Sequence, residues 1–101
     1  MEENQKSFFV YKHTNKINGK VYIGITSRKD AKIRWGRNGI GYKNNEHFYN
    51  AIKKYGWKNF DHEILYSGVS KDRALYLEGM LSEIYRSTNP RYGYNLVCGE
   101  D

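Results

Sequence analysis

The chain has 101 residues, a formal net charge of +6 and one cysteine, Cys98. This length predicts one domain over residues 1–101, with a modest core. A lone cysteine excludes an internal disulfide and a cysteine-based zinc site, so we expect a reducing, cytoplasmic setting. The apolar runs are too short to cross a bilayer, and we expect no membrane partner.

Basic residues concentrate in the first part of the chain. Residues 1–58 hold thirteen Lys and Arg against four Asp and Glu, whereas 59–101 hold four against seven. A basic region beside an acidic one suits a phosphate-binding surface next to a metal-binding carboxylate. Charge alone favours a nucleic-acid partner only weakly, because many basic proteins are simply soluble.

Residues 8–26 alternate between apolar and polar side chains around the turn signal Asn18-Gly19, which predicts a β-hairpin. A two-residue turn there pairs Ile17 with Lys20 and puts an aliphatic set on the core face. The opposite face carries Phe9, Tyr11, Tyr22, Gly24 and Thr26. Two phenols beside a glycine suit a surface that a partner approaches closely, although tyrosines are also ordinary strand residues.

The middle of the chain predicts two helices separated by a glycine-rich loop. The first spans about 30–37, with Ser27 or Asp30 as its cap. Residues 38–45 form the loop. A second helix over Glu46–Tyr55 follows and ends at the next glycine.

The last part of the chain predicts a strand over 60–66, a long helix over about 70–86 and a short extended piece over 94–97. The long helix has one broad apolar face, with Glu78 at its edge and Glu83 on the solvent side. That face is made of Ala74, Leu77, Met80, Leu81, Ile84 and Tyr85. The predicted fold is α/β (α+β): a small three-stranded antiparallel sheet flanked by three helices.

Four ordered motifs resemble the signature of the GIY-YIG nuclease superfamily. They are Phe9-Val10-Tyr11 with Tyr22-Ile23-Gly24, then Arg34-Trp35, then Glu78, then Gly93-Tyr94-Asn95. The resemblance covers about residues 8–97, and Phe9 stands where the family name has glycine. Residues 47–60 resemble the homing-endonuclease-like branch of phages and mobile elements. The implied architecture, that of a GIY-YIG catalytic domain, matches the predicted elements.

The resemblance implies an endonuclease that hydrolyses DNA phosphodiester bonds with one divalent cation, Mg²⁺ or Mn²⁺, and no small-molecule cofactor. Glu78 is then the metal ligand. Arg34 neutralises the phosphate, since a guanidinium stays charged and can bond two oxygens. Tyr11, perturbed by the metal and by nearby cations, takes the proton of the attacking water, and Tyr22 orients that water or the phosphate.

The histidines leave one assignment open. Homing members of the family often carry a histidine four residues after the arginine, where this chain has Asn38. His47 is a candidate replacement, although a lone histidine at a helix start is more often structural. His13, on the strand face of Tyr11, is a second candidate. His62 is interpreted as an ordinary strand residue.

Duplex DNA is the expected partner, and the oligomeric state is left open. The residues assigned to substrate binding are Gly24, Lys32, Arg37, Lys43, Lys53, Lys54 and Asn95. The resemblance also gives Asn95 a role in supporting the backbone of the active site. Two alternatives remain: a non-catalytic nucleic-acid-binding module, and a nuclease for RNA or for branched or single-stranded substrates. Glu78 argues against the first, because a carboxylate at a phosphate-binding face repels the ligand.

Overall fold

The computed structural model describes residues 6–95 as a three-stranded antiparallel sheet with helices on both faces. The strands are β1 (Phe8–Asn15), β2 (Val21–Thr26) and β3 (Phe60–Val69), and their order in the sheet is β2-β1-β3. β1 is therefore the central strand and pairs on both sides. This architecture confirms the predicted α/β fold. Leu96 and Val97 of the predicted last extended piece lie outside the described residues.

The hairpin turn is longer than the two-residue turn that Asn18-Gly19 predicts. The Asn15 amide donates to the Lys20 carbonyl at 2.9 Å, so residues 16–19 form a four-residue loop. A type I′ turn needs positive φ at both central residues, and of these two only Gly19 has one, at 79°. The predicted pairing is therefore wrong by two residues. Because side chains alternate with period two, an even shift leaves both faces of the hairpin as predicted.

Two helices cover the tyrosine-bearing face of the sheet. α1 (Ala31–Trp35) begins after Asp30, whose carboxylate accepts from the Lys32 amide. α2 (Glu46–Tyr55) has the predicted bounds and is capped by the side chain of Asn45. The loop predicted between them is instead a 3₁₀ segment, Arg37–Tyr42, interrupted by two residues with positive φ.

The third helix, α3 (Lys71–Tyr85), packs on the opposite face of the sheet and is capped by Ser70. In the first half of α3, Leu77 is buried and Glu78 is half-buried, as the helical phase predicts. The predicted apolar face is wrong at its end, since Ile84 is 64% exposed. The earlier turns of α3 already fill the aliphatic cluster against β1 and β2, which leaves the last turn in solvent. Within residues 6–95, no helix combines the length and apolar character needed to cross a bilayer.

Candidate active site

Tyr11 lies at the centre of the sheet, under α1 and the 3₁₀ segment, and is only 1% exposed. Its cross-strand partner is Gly24. A Cβ atom at Gly24 would stand 2.6 Å from the ring and hydroxyl of Tyr11, which is closer than real Cβ contacts come. The missing side chain at Gly24 therefore makes room for Tyr11. The close approach that the sequence predicts at this glycine comes from the protein's own tyrosine.

Tyr22 lies beside Tyr11 on the same face and is half-buried. Its ring stacks on Phe48 of α2 with a centroid distance of 4.6 Å and an interplanar angle of 9°. The ring of Tyr42 crosses Tyr22 edge-on, with centroids 5.1 Å apart. Three tyrosines therefore meet here, and Tyr42 is one that the sequence analysis did not single out.

Arg34 reaches this cluster from α1 and is half-buried. Its guanidinium carbon lies 4.6 Å from the centroid of the Tyr42 ring, at cation–π distance. Its Nη1 donates to the Gly41 carbonyl at 2.7 Å. These two contacts hold the guanidinium in one orientation.

Glu78 belongs to α3, yet its charge acts on Tyr11. The pKa of the Tyr11 phenol is raised, mainly because burial removes it from water. A hydrogen bond with Tyr42 and the charge of Arg34 lower this pKa, and Glu78 raises it. Among the protein groups, burial therefore outweighs the charge of Arg34 at Tyr11.

The chemistry of the Glu78 side chain, an oxygen donor, decides which cation it could hold. Among residues 6–95 there is no cluster of three or more His, Cys, Asp or Glu side chains that could hold a metal. Zinc would need such a cluster, whereas Mg²⁺ commonly binds one or two carboxylates together with waters and substrate phosphate oxygens. A half-buried carboxylate such as Glu78 fits a magnesium-type ion.

Two histidines extend the tyrosine cluster toward β3. His13 is fully buried, and its Nε2 lies 2.8 Å from the Tyr42 hydroxyl. Its Nδ1 lies 2.9 Å from Nδ1 of His62, which is half-buried. Burial lowers the pKa of His13 well below its usual range, and the charges of His62 and Arg34 act in the same direction. Both ring nitrogens of His13 thus have a side chain at hydrogen-bonding distance.

This arrangement corrects the interpretation of His62 as an ordinary strand residue. Its partner His13 is 49 residues away in the chain, and Tyr42 is 29 residues from His13. Only the placing of His13 on the strand face of Tyr11 pointed toward this cluster, and no local pattern marks the other two residues.

The remaining predicted site residues lie around the cluster. His47 is exposed, and its ring is 5.3 Å from that of Tyr94. Asn95 donates to the Ile23 carbonyl at 2.7 Å and accepts from the Ile23 amide at 2.8 Å, which holds β2 between Tyr22 and Gly24. The predicted basic contacts are all exposed: Lys32, Arg37, Lys43, Lys53 and Lys54.

An open cleft of about 360 Å³ lies beside α2. Trp57 and Tyr49 supply aromatic surface, and Lys53 and Lys58 supply positive charge. The Trp57 ring also stacks on His62 with a centroid distance of 4.1 Å. The cleft is therefore joined to the histidine pair by one aromatic side chain.

Three proteins of Enterobacteria phage T4 are similar to this chain in sequence. "Putative endonuclease segD" is 38% identical over 74 residues, which is 73% of this chain and 30% of that protein. "Putative endonuclease segE" is 40% identical over 93 residues, 90% of this chain and 41% of the relative. "Putative endonuclease segC" is 31% identical over 74 residues, 73% of this chain and 34% of the relative.

The chain thus spans less than half the length of each of these relatives. No protein-family model matches it. No solved structure matches it either. The similarity to part of three phage proteins that carry endonuclease names supports a relationship with an endonuclease family.

Proposed function

We propose that the chain is the catalytic part of a GIY-YIG endonuclease of the homing-endonuclease-like branch, which hydrolyses DNA phosphodiester bonds with Mg²⁺ or Mn²⁺. One observation carries the proposal: the Gly41 carbonyl and the Tyr42 ring hold the Arg34 guanidinium beside the sheet face that carries Tyr11 and Tyr22, and Glu78 is half-buried on α3. A cation for phosphate, a carboxylate for a metal and a proton-accepting oxygen are the groups that this hydrolysis needs. The endonuclease names of the phage relatives support the same reaction class.

In this proposal each group has one role. Arg34, held by the Gly41 carbonyl and the Tyr42 ring, stabilises the negative charge of the phosphate. Tyr11 accepts the proton of the attacking water, and Tyr22 orients that water. Glu78 holds the divalent cation, which supplies positive charge to the phosphate and the leaving oxygen when it is bound.

Outside this centre, the cleft beside α2 binds nucleic acid through positive charge and base stacking. The cleft beside α2 combines exposed lysines with Trp57, a combination that binds phosphates and the faces of bases. Binding of this kind releases counterions, so we expect the affinity to fall by roughly tenfold or more between low and physiological salt. An affinity that did not change with salt would contradict this surface.

The test is cleavage of supercoiled plasmid, of duplex and single-stranded DNA oligonucleotides and of RNA, with Mg²⁺, with Mn²⁺ and with EDTA. Metal-dependent cutting of duplex DNA is the expected result. Binding without cutting under every condition would favour the alternative of a non-catalytic module. Cutting confined to RNA or to single strands would keep the chemistry and replace the substrate.

A further inference from the structure

The two groups that hold the Arg34 guanidinium belong to neighbouring residues of one segment. Its Nη1 donates to the Gly41 carbonyl at 2.7 Å, and its guanidinium carbon lies 4.6 Å from the centroid of the Tyr42 ring. Gly41 and Tyr42 are the last two residues of the 3₁₀ segment. The orientation of Arg34 therefore depends on what fixes this end of the segment.

The regular structure of the segment does not fix it. Asn38 and Gly39 have positive φ, so the helical conformation is broken before it reaches Tyr42. A Cβ atom at Gly41 would overlap the backbone carbonyl oxygen of Arg34, which shows how closely the segment approaches α1. Such a contact sets only a closest approach, whereas a hydrogen bond also sets a direction. A hydrogen bond to the Tyr42 side chain is therefore what can fix the position of its ring.

That hydrogen bond comes from His13 of the central strand β1. Nε2 of His13 lies 2.8 Å from the Tyr42 hydroxyl, and the two side chains are 0% and 1% exposed. A hydrogen bond away from water is electrostatically stronger than one at the surface. β1 pairs with a strand on each side, so it offers a rigid base. His13 thus ties the ring that contacts Arg34 to the middle of the sheet.

His13 is itself held at its other ring nitrogen. Its Nδ1 lies 2.9 Å from Nδ1 of His62, its cross-strand partner on β3. The Trp57 ring stacks on His62 with a centroid distance of 4.1 Å. A neutral imidazole donates through one nitrogen and accepts through the other, so His13 can make both contacts in either tautomer. The tie to Tyr42 therefore does not depend on which nitrogen of His13 carries the proton.

His13 has no direct path to a substrate. Its side chain is 0% exposed, and each of its ring nitrogens faces another side chain. A substrate atom could bond His13 only after one of these contacts had been broken. An effect of His13 on cleavage must therefore pass through the side chains that it holds.

We propose that His13, through the Tyr42 hydroxyl, positions Arg34 for the reacting phosphate, and that His62 supports His13 in this task. This inference rests on the proposed nuclease function. His13, Tyr42 and His62 are positioning residues in it, since they act on the phosphate through the guanidinium. A misplacement of about 1 Å can cost roughly 100-fold in rate, so a bond this far from the phosphate matters to cleavage.

The first test needs no activity. NMR spectra of the arginine side chains report whether a guanidinium rotates freely about its Cζ–Nε bond. In the wild-type protein we expect separate Nη–H signals for Arg34, because the Gly41 carbonyl and the Tyr42 ring hold it. Tyr42→Phe keeps the ring and removes the hydroxyl, and it should merge these signals. Separate, unshifted Arg34 signals in Tyr42→Phe would overturn the proposal.

The second test compares two replacements of His13 in single-turnover cleavage. The amide of Gln lies far enough from the backbone to replace Nε2 and bond Tyr42, whereas the shorter Asn replaces Nδ1 and reaches only His62. We expect His13→Asn to lose about 10- to 100-fold in rate, and His13→Gln to be about tenfold faster than His13→Asn. A purely structural role would lower both rates alike, so equal rates would contradict the positioning role.

The controls separate positioning from binding and from folding. Glu63→Gln, next to His62 on β3 with its carboxylate paired to Lys12 at 3.2 Å, should keep the wild-type rate. Affinity for duplex DNA in EDTA should stay at the wild-type value in both His13 variants, since His13 touches no substrate. Urea denaturation shows whether each variant is folded. Tyr42→Phe takes the place of His13→Asn if the latter does not fold, with the same expected loss of rate.

A double-mutant cycle separates the possible failures. Because Tyr42 acts through Arg34, Tyr42→Phe should cost nothing further in a protein that already carries Arg34→Ala. Losses that multiply in full would overturn the positioning role and leave the nuclease function intact. A wild-type protein inert on every substrate would overturn the proposed function and the role of His13 in cleavage, while the NMR comparison still reports on the tie between Tyr42 and Arg34.

Discussion

On the α3 side of the sheet the buried side chains are aliphatic, whereas on the side of α1 and α2 they are mainly aromatic or polar. Val10, Ile23 and Leu77 pack together on the first side. Tyr11, Tyr42 and their neighbours pack on the second, together with the fully buried His13. Strand alternation alone separates these two sets, because successive residues of β1 point to opposite faces.

This difference shows which side of the sheet must keep its side chains at definite distances. Aliphatic groups tolerate small shifts because they have no bonds to satisfy, while each buried hydroxyl or ring nitrogen needs a partner at a definite distance. The aromatic side is therefore the side that can hold reacting groups in register. Glu78 is the exception, since it is a half-buried carboxylate on α3, the helix of the aliphatic side.

The largest expected effect comes from changing Glu78. Glu78→Gln keeps the size and helix propensity of the side chain and removes the charge that would anchor a cation. We expect metal-dependent cleavage to fall by about a thousandfold or more, ~4 kcal/mol in activation free energy, with affinity in EDTA unchanged or higher. Glu83→Gln, exposed on the same helix, is the control. Cleavage that survives in the first variant would show that Glu78 holds no metal.

Substitutions among the aliphatic side chains should change the free energy of unfolding and leave the cleavage rate unchanged. Leu77→Ala leaves a cavity in the cluster under α3, and we expect the free energy of unfolding to drop by about 2–5 kcal/mol. Urea denaturation measures this change, and the cleavage rate per folded molecule should stay near wild type. Ile84→Ala, on the exposed last turn, should change stability by only about 0.5 kcal/mol or less. Equal losses would mean that α3 packs along its whole length.

Substitutions on the aromatic side should change the rate of the chemical step. Arg34→Ala removes a charged donor that the Gly41 carbonyl and the Tyr42 ring hold in place, so we expect a loss of about 2–4 kcal/mol in transition-state stabilisation. Lys53→Ala, in the cleft beside α2, should weaken binding with little change in the single-turnover rate. If the two variants lost binding and rate in the same ratio, Arg34 would be one more strand contact.

The sequence predicts those parts of the fold that depend on residues close together in the chain. The bounds of α2 follow from local signals, a 3.6-residue apolar period between a side-chain cap at Asn45 and a glycine stop. The packing of α3 follows from the same period, except at its last turn, which lies in solvent. The hairpin register does not, since it depends on which turn the four residues 16–19 adopt as a group.

The site divides in the same way. Tyr11, Arg34 and Glu78 can be picked out from the sequence because each stands in a short local pattern. Tyr42 and His62 are not, because their partners are brought in by the fold from distant parts of the chain. Buried polar sets of this kind are selected by three-dimensional satisfaction of hydrogen bonds, which no local periodicity encodes.

The smallest expected effect is a loss of stability in acid, which should come from the aromatic side of the sheet and not from the aliphatic side. The pKa of buried His13 is lowered in the folded protein relative to its ordinary value of 6.5, so below that pH the unfolded chain binds more protons and stability falls. Between about pH 7.5 and about pH 5.5 we expect a loss of about 1.4 kcal/mol from this residue, measured by urea denaturation. Leu77→Ala should lower the curve equally at both pH values, whereas His13→Asn should flatten it. The same acid slope in His13→Asn as in wild type would mean that the buried ring does not control the acid sensitivity of the aromatic side.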